Sequence, residues 1–229
     1  QGALRLVVEP IFENVFVNHS YGFRPRRGCK DALREVDRLL HAGYTYVVDA
    51  DIKAYFDNIP HEPLMAAIGS YIADGRVLEL IGSFLKQDVL EDLTLWTPEK
   101  GSPQGAVISP LLANLYLHPV DVAVAAAGYE MIRYADDLVI LCRTEVEAQQ
   151  ALDLLGKLTA ERGLTLHPVK TRLVDVSVPG EGFDFLGYHF VKSTRWPRKK
   201  SLTKLKDAMR SKTGRSHGGS LAEVVDEVN

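Results

Sequence analysis

Two pairs of aspartates in this sequence stand where carboxylates do chemistry rather than solvate a surface. Val47-Val48-Asp49-Ala50-Asp51-Ile52 sets acids at the end of an apolar, β-branched run, and Asp136-Asp137 separates the apolar runs 129–134 and 138–142. A carboxylate at the end of a buried strand is costly to desolvate unless a cation compensates it. Successive residues of a strand face opposite sides, so Asp136 and Asp137 serve one site only if the chain turns there. Hard oxygen donors of this kind suit Mg²⁺, which takes one or two carboxylates and completes its shell with water and substrate phosphates. A pair of such ions supports phosphoryl transfer, one activating the attacking hydroxyl and the other steadying the leaving oxygen. Adjacent aspartates alone also fit a solubilising hairpin tip. The second acidic position is what favours chemistry.

The elements that must position these acids follow from hydrophobic spacing. A helix is expected over 1–18, from Leu4, Val7, Val8, Ile11, Phe12 and Val15. The loop Ser20-Tyr21-Gly22-Phe23-Arg24-Pro25-Arg26-Arg27-Gly28 leads to a second helix, with Ala32, Leu33, Val36, Leu39 and Leu40 on its apolar face and Gly43 as its stop. A buried strand over 44–50 precedes helices over 64–72 and 76–85, then a short strand over 92–96. Gly101-Ser102-Pro103-Gln104-Gly105 reads as a turn into a long helix from Val107. Strands 129–134 and 138–142 meet at Ala135-Asp136-Asp137, and Thr144, with Glu147 at capping-box spacing, opens a helix to Arg162. Strands over 172–176 and 183–190 complete the pattern. Helices and strands do not alternate regularly, and a tight hairpin pairs its strands antiparallel. The expected class is α+β, an antiparallel sheet backed by helices.

With 229 residues, 46% hydrophobic and 25% charged, the chain is globular rather than disordered or fibrous. Its most apolar stretch, 107–127, is broken by Pro110, Asn114, His118, Pro119 and Asp121, so no membrane span is expected. No basic-then-apolar leader opens it. Cys29 and Cys142 lack a second cysteine or a histidine pair at ligand spacing and read as reduced thiols of a cytoplasmic protein. The net charge of −3 hides an asymmetry: residues 192–215 hold ten Lys or Arg and one acid, a charge of +9 against −12 for the remainder. That stretch is either a surface for a polyanion or a solvated, partly flexible tail.

The same residues resemble the reverse transcriptases in their group II intron maturase form. Tyr134-Ala135-Asp136-Asp137 resembles the family's catalytic box, and Val48-Asp49-Ala50-Asp51-Ile52-Lys53-Ala54-Tyr55-Phe56-Asp57-Asn58-Ile59 its first catalytic motif. Gly101 to Gly105 followed by Ser109-Pro110-Leu111-Leu112-Ala113-Asn114 resembles the nucleotide-binding motif, and Ser20 to Arg27 a fingers motif. Gly163-Leu164-Thr165-Leu166 with Lys170-Thr171 resembles the next palm motif, and Phe185-Leu186-Gly187-Tyr188 the primer grip. Six motifs in family order span 20–190; each is weak alone, and their ordered sum is strong.

The resemblance implies an RNA-directed DNA polymerase that uses two Mg²⁺ ions, with Mn²⁺ as a substitute. Asp51, Asp136 and Asp137 become the ligands, Ile52 adds its carbonyl, and Asp49 and Asp57 are structural. Lys53 and Ala54 offer backbone N–H groups to the triphosphate, while Pro103, Gln104 and Gly105 shape the nucleotide site. Phe56 resembles the ring that excludes a ribose 2′-OH; composition alone would place it in the core. Lys170 resembles the lysine that protonates departing pyrophosphate. Arg24 either touches phosphate or template or is a surface arginine beside Pro25. Leu186, Gly187 and Tyr188 would hold the primer, and Arg198, Lys199 and Lys200 would bind RNA. Implied partners are an RNA template, a DNA or RNA primer, deoxynucleoside triphosphates and intron RNA, with no membrane.

The expected division is partial fingers over 1–43, a right-hand polymerase palm over 44–190, and a linker with the start of a helical thumb or maturase domain over 191–229. A fingers stretch of Arg-Pro-Leu-Gly-Ile-Pro type should precede Gln1, and the thumb should continue beyond Asn229; an excised fragment or a degenerate copy is therefore expected. Two other functions compete. Asp49-Ala50-Asp51 also fits the D-x-D of a nucleotide-sugar glycosyltransferase, which leaves the Tyr-Ala-Asp-Asp and Ser-Pro-Gln-Gly segments unexplained. An RNA-binding splicing cofactor that keeps the palm only as a scaffold would not need the acids, which are intact. CRISPR-associated and retron enzymes would share the motifs.

Overall fold

The computed structural model describes residues 1–86, 89–91, 94–96, 100–102, 106–192 and 194–213. In chain order its first elements are α1 (Gly2–Glu13), α2 (Cys29–His41), β1 (Tyr46–Asp51), the single turn α3 (Tyr55–Asn58), α4 (His61–Gly69) and α5 (Gly75–Leu85). Next come β2 (Val89–Glu91), β3 (Thr94–Trp96), α6 (Ser109–Ala126), β4 (Glu130–Tyr134), β5 (Asp137–Cys142) and α7 (Glu145–Ala160). The chain continues through β6 (Arg172–Asp175), β7 (Phe183–Phe185), β8 (Tyr188–Val191), β9 (Thr194–Pro197) and α8 (Lys199–Lys212).

The main sheet has four strands in the order β4-β5-β1-β6, every neighbouring pair antiparallel. Alternation along the strands gives it two apolar faces. Val48, Ala50, Ile52, Leu138, Ile140 and Cys142 pack with residues of α1, α4, α6 and α7 in one core. Val47, Val139 and Leu141 face the other way, onto α2 and the small antiparallel sheet β7-β8-β9, where Phe183 stacks on Phe190. Asp49 and Asp51 have the parity of that second face, so the sheet delivers them into the gap beside the small sheet. Residues 1–43 have no core of their own: α1 contributes Leu4, Val8 and Phe12 to one core and α2 contributes Leu33, Val36 and Leu39 to the other.

Helix starts follow local chemistry. Asp74 caps α5 by accepting from the N–H groups of Arg76 and Val77, and Thr144 caps α7 by accepting from Glu147 N. The returning bond of the expected capping box goes one residue further out, from Arg143 N to Glu147 Oε2 at 2.9 Å. The long helix begins at Ser109 rather than Val107, with Pro110 in the first turn, where its missing N–H is no loss.

One further expectation is corrected. The single strand over 183–190 is a hairpin, because Leu186 and Gly187 take φ values of 46° and 84° and reverse the chain between β7 and β8. Of the readings open for the basic stretch, 199–212 takes a helix, α8, none of whose residues is buried, so it is solvated without being a flexible tail. Both cysteines are free, Cys29 exposed and Cys142 buried. Among the described residues, no helix is long and apolar enough to cross a membrane.

Candidate active site

The hairpin joining β4 and β5 gathers the acids. Tyr134 pairs with Asp137, which leaves Ala135 and Asp136 as the two central residues of the turn. Ala135 sits at φ 60°, the positive value that a type II′ turn requires at this position and that glycine usually supplies. Asp137, the first residue of β5, stands directly opposite Asp51 of β1, with Asp49 two residues back on the same face. Like charges facing across a strand pair destabilise a sheet unless positive charge lies nearby. Some is local: Lys170 Nζ is 2.5 Å from Asp51 Oδ2, and Arg172 Nε is 3.2 Å from Asp49 Oδ2.

That charge is not enough. Burial above all, then Asp49 and Asp136, pushes the Asp137 carboxyl up to about 7, although a backbone hydrogen bond from Leu186 works the other way. Burial raises Asp136 as well, with Asp51 adding to it, and raises Asp49 despite the bond from Arg172. A group of acids held up in this way is short of cations, and its donors are all hard oxygens, the set Mg²⁺ prefers. Asp51 already coordinates one positive group, the Lys170 ammonium. The oxygens of Asp51, Asp136 and Asp137 are not all drawn within 4.8 Å of one another; among the described residues only His19, Glu35 and Glu130 are so gathered. Both oxygens of Glu35 there are bonded to Arg38.

Asp49, Asp51 and Asp137 line a cleft of about 750 Å³ together with Lys170, Leu186, Gly187, Arg198 and Lys200. That lining comes from the main sheet, from the loop before β6 that carries Lys170, and from the β7-β8 turn with the start of α8. Gly187 O ties the latter pair together by accepting from Arg198 N at 2.9 Å and Ser201 Oγ at 3.0 Å.

The family described as reverse transcriptase (RNA-dependent DNA polymerase) matches residues 2–190. The chain belongs to this family. The group II intron-encoded protein LtrA of Lactococcus lactis subsp. cremoris is 44% identical over 53% of this chain, a segment that covers 20% of LtrA. Protein YkfC of Escherichia coli is 31% identical over 84% of this chain and 60% of its own length. The chain thus spans only part of the curated relatives it matches. A telomerase from Candida albicans, solved with a TWJ fragment of telomeric RNA, superimposes with a TM-score of 0.72 over 99% of this chain and 44% of the other, at 13% identity; the likeness is one of fold. A reverse transcriptase leaves no place for the nucleotide-sugar reading of Asp49-Ala50-Asp51.

Other residues singled out by their resemblance to reverse transcriptases lie around these acids, some in unexpected states. The Lys53 N–H donates to Thr165 O at 2.9 Å, and Ile52 bridges to Leu166, so Lys53 has no backbone donor to spare for a triphosphate. Ala54, at φ 45°, turns the chain out of β1 into α3. Phe56 is half-buried, its ring edge-on to Tyr55 at 5.5 Å and to Phe23 at 6.5 Å. Ser102 N donates to Phe56 O at 2.7 Å, which anchors the start of the nucleotide-motif turn; Pro103, Gln104 and Gly105 themselves lie outside the described residues. Arg24 is neither on the surface nor turned to the cleft. It is buried, its Nε and one terminal nitrogen bonded to Glu13 and the other to the carbonyls of Val17 and Ser20. Arg198 is half-buried and 3.3 Å from Asp184, whereas Lys199 and Lys200 are exposed.

The sequence reading missed a buried pair behind the hairpin, Arg133 and Asp121. Its signal was present: Arg133 follows the apolar pair Met131-Ile132 and Asp121 lies inside the apolar run 107–127, opposite charges that a partner within the core would reconcile.

Proposed function

We propose that this chain is the palm, with part of the fingers and the start of the thumb, of an RNA-directed DNA polymerase of the group II intron kind, and that the complete protein also assists splicing of intron RNA. The division at residues 43 and 190 belongs to this proposal, since the helices of 1–43 share the cores of the 44–190 segment. The supporting observation is the register that sets Asp51 against Asp137 across β1 and β5, with Asp136 at the adjoining turn.

In this reading Asp51, Asp136 and Asp137 hold two Mg²⁺ ions, for which Mn²⁺ can substitute. Bound there, the ions supply Lewis acidity toward the primer 3′-hydroxyl and the departing pyrophosphate. The chain's own groups do the rest. Lys170 carries a proton at Nζ, at the open edge of the cleft, where pyrophosphate leaves. The rings of Phe56 and Phe23 form one wall beside the sugar of an incoming deoxynucleotide. Gly187 and Leu186 present a turn to the primer backbone, and the exposed lysines of α8 meet template or intron RNA.

The test is Asp136→Asn in the complete protein, assayed by primer extension on an RNA template with Mg²⁺ and, separately, by RNA affinity. Extension should be lost with affinity retained. Full extension by the variant would refute the assignment of the acids.

A further inference from the structure

We infer that Arg133 is a positioning residue for the catalytic turn: neutralised by Asp121, its guanidinium fastens the Ala135 carbonyl to α6 and to the 20–24 loop, so that Asp136 is held where its two flanking segments place it. The inference rests on the reading of Asp136 and Asp137 as metal ligands and goes beyond it.

Arg133 is 1% exposed and uses all five of its donors. Nε gives 2.7 Å to Asp121 Oδ1, and one terminal nitrogen gives 2.5 Å to Asp121 Oδ2 and 2.8 Å to Ser20 Oγ. The other gives 2.9 Å to both Asn114 Oδ1 and Ala135 O. Asn114 Nδ2 then donates to Gly22 O at 2.7 Å. The backbone of Arg133 is tied to the same loop, its N–H to His19 O and its carbonyl to Tyr21 N. Three separate segments therefore end on one side chain.

A merely structural role does not account for this. Taking an ion pair into a core roughly cancels its own attraction, and well-packed apolar residues of similar volume do as well or better for stability. What apolar residues cannot supply is direction. Direction is needed here because Ala135 occupies the left-handed region without being glycine, a conformation that persists only when its surroundings over-determine it. Gly22 shows how tightly they do so. A Cβ there would run into Ala135 N and lie 3.0 Å from Tyr134 C, so the loop lies on the turn backbone to backbone. The arrangement also gives Ser20, Gly22 and Asn114 a task at the site although none of them lines the cleft.

The discriminating variant is the double substitution Arg133→Met with Asp121→Leu, which removes the pair but refills the core. Two readouts are taken on the metal-free protein and one with metal: thermal midpoint, amide hydrogen exchange at 134–137, and Mn²⁺ affinity by electron paramagnetic resonance. Positioning predicts a recovered midpoint, faster exchange confined to the turn, and Mn²⁺ affinity lowered about tenfold, the order seen when groups that orient metal ligands are removed. A purely structural pair predicts wild-type exchange and affinity once the core is refilled, and that result overturns the inference. If the double variant does not fold, Asn114→Ala, which leaves the ion pair in place, must show the same faster exchange, and unchanged exchange in it is equally fatal. Asp136→Asn serves as the control. Loss of its effect on Mn²⁺ binding would refute the metal assignment, while the exchange result still decides the role of Arg133.

Discussion

Lys170 holds its ammonium nitrogen 2.5 Å from Oδ2 of Asp51, a residue 119 positions earlier in the chain. The hydrogen bond and charge of Asp51 raise the lysine's pKa, so the group stays protonated at neutral pH. The pair is open to water, the lysine side chain 62% exposed, and adds little to stability. Its importance is competition: the ammonium stands on an oxygen that a divalent cation would take.

Lys170→Met should therefore tighten Mn²⁺ binding to the free protein while slowing primer extension by about 10²-fold or more, the usual worth of a positioned proton donor. Paramagnetic titration and single-turnover extension measure the two effects. Weaker Mn²⁺ binding in the variant would show that the lysine is no competitor.

The contrast between Asp51 and Lys53 shows how much was legible in the sequence. A β-branched run ending in acids is a local pattern, and so is a hairpin at Ala135; both emerged where the spacing put them. The partner of the Lys53 N–H is Thr165 O, more than a hundred residues away, and no local pattern announces it. Arg24 failed for the same reason, since its partner Glu13 sits on the preceding helix with a loop between. The β7-β8 hairpin was only half announced: Gly187 marks a turn, but Leu186, which shares the positive φ, gives no sign of it. A helix over 199–212 was implied by the resemblance, as the start of a helical thumb, but not by the residues themselves, because a run of lysines and arginines reads as charge before it reads as periodicity. Arg133 was within reach, since a lone arginine among Met131, Ile132 and Tyr134 asks for a buried partner.

Phe56 supplies a test of nucleotide selection. Its ring is held by edge contacts with Tyr55 and Phe23 and is only half-buried. Phe56→Val should raise ribonucleotide incorporation relative to deoxynucleotide incorporation, measured as the ratio of the two kcat/KM values. An unchanged ratio in a folded variant would return the ring to a packing role.

The two thiols should differ sharply. Cys29 is exposed, whereas burial, helped by Glu147, pushes the Cys142 thiol up to about 12. Only the thiolate is nucleophilic, so a disulfide reagent at pH 8 should titrate one thiol at once and the second only on unfolding. The sign of the linkage is then fixed. An acid whose folded pKa lies above its unfolded value of about 8.5 contributes stability below that pH and loses it as pH rises toward 12. Cys142→Ala should flatten the alkaline loss of stability seen in denaturant titrations. A rapid reaction of both thiols in the native protein would contradict the burial.

Helix α8 decides whether the positive stretch is a recognition surface. Between Lys199 and Lys212 it carries Lys199, Lys200, Lys204, Lys206, Arg210 and Lys212 against Asp207, and every one of these side chains is exposed. A helix fixes the spacing of such charges, which a flexible tail would not, and its first turn borders the cleft through Lys200. Binding of single-stranded RNA through backbone charge releases counterions and loses roughly 0.7 log units of affinity per log unit of salt for each phosphate neutralised. Lys199→Glu with Lys200→Glu is the clean reversal, because Arg198 is engaged with Asp184 and its N–H with Gly187 O. RNA affinity measured across a salt series should show a shallower slope in this variant, by roughly 0.7 for each phosphate the helix no longer neutralises, and the same slope as the parent in Asp136→Asn. A slope unmoved by the reversal would mean that the helix is only solvated.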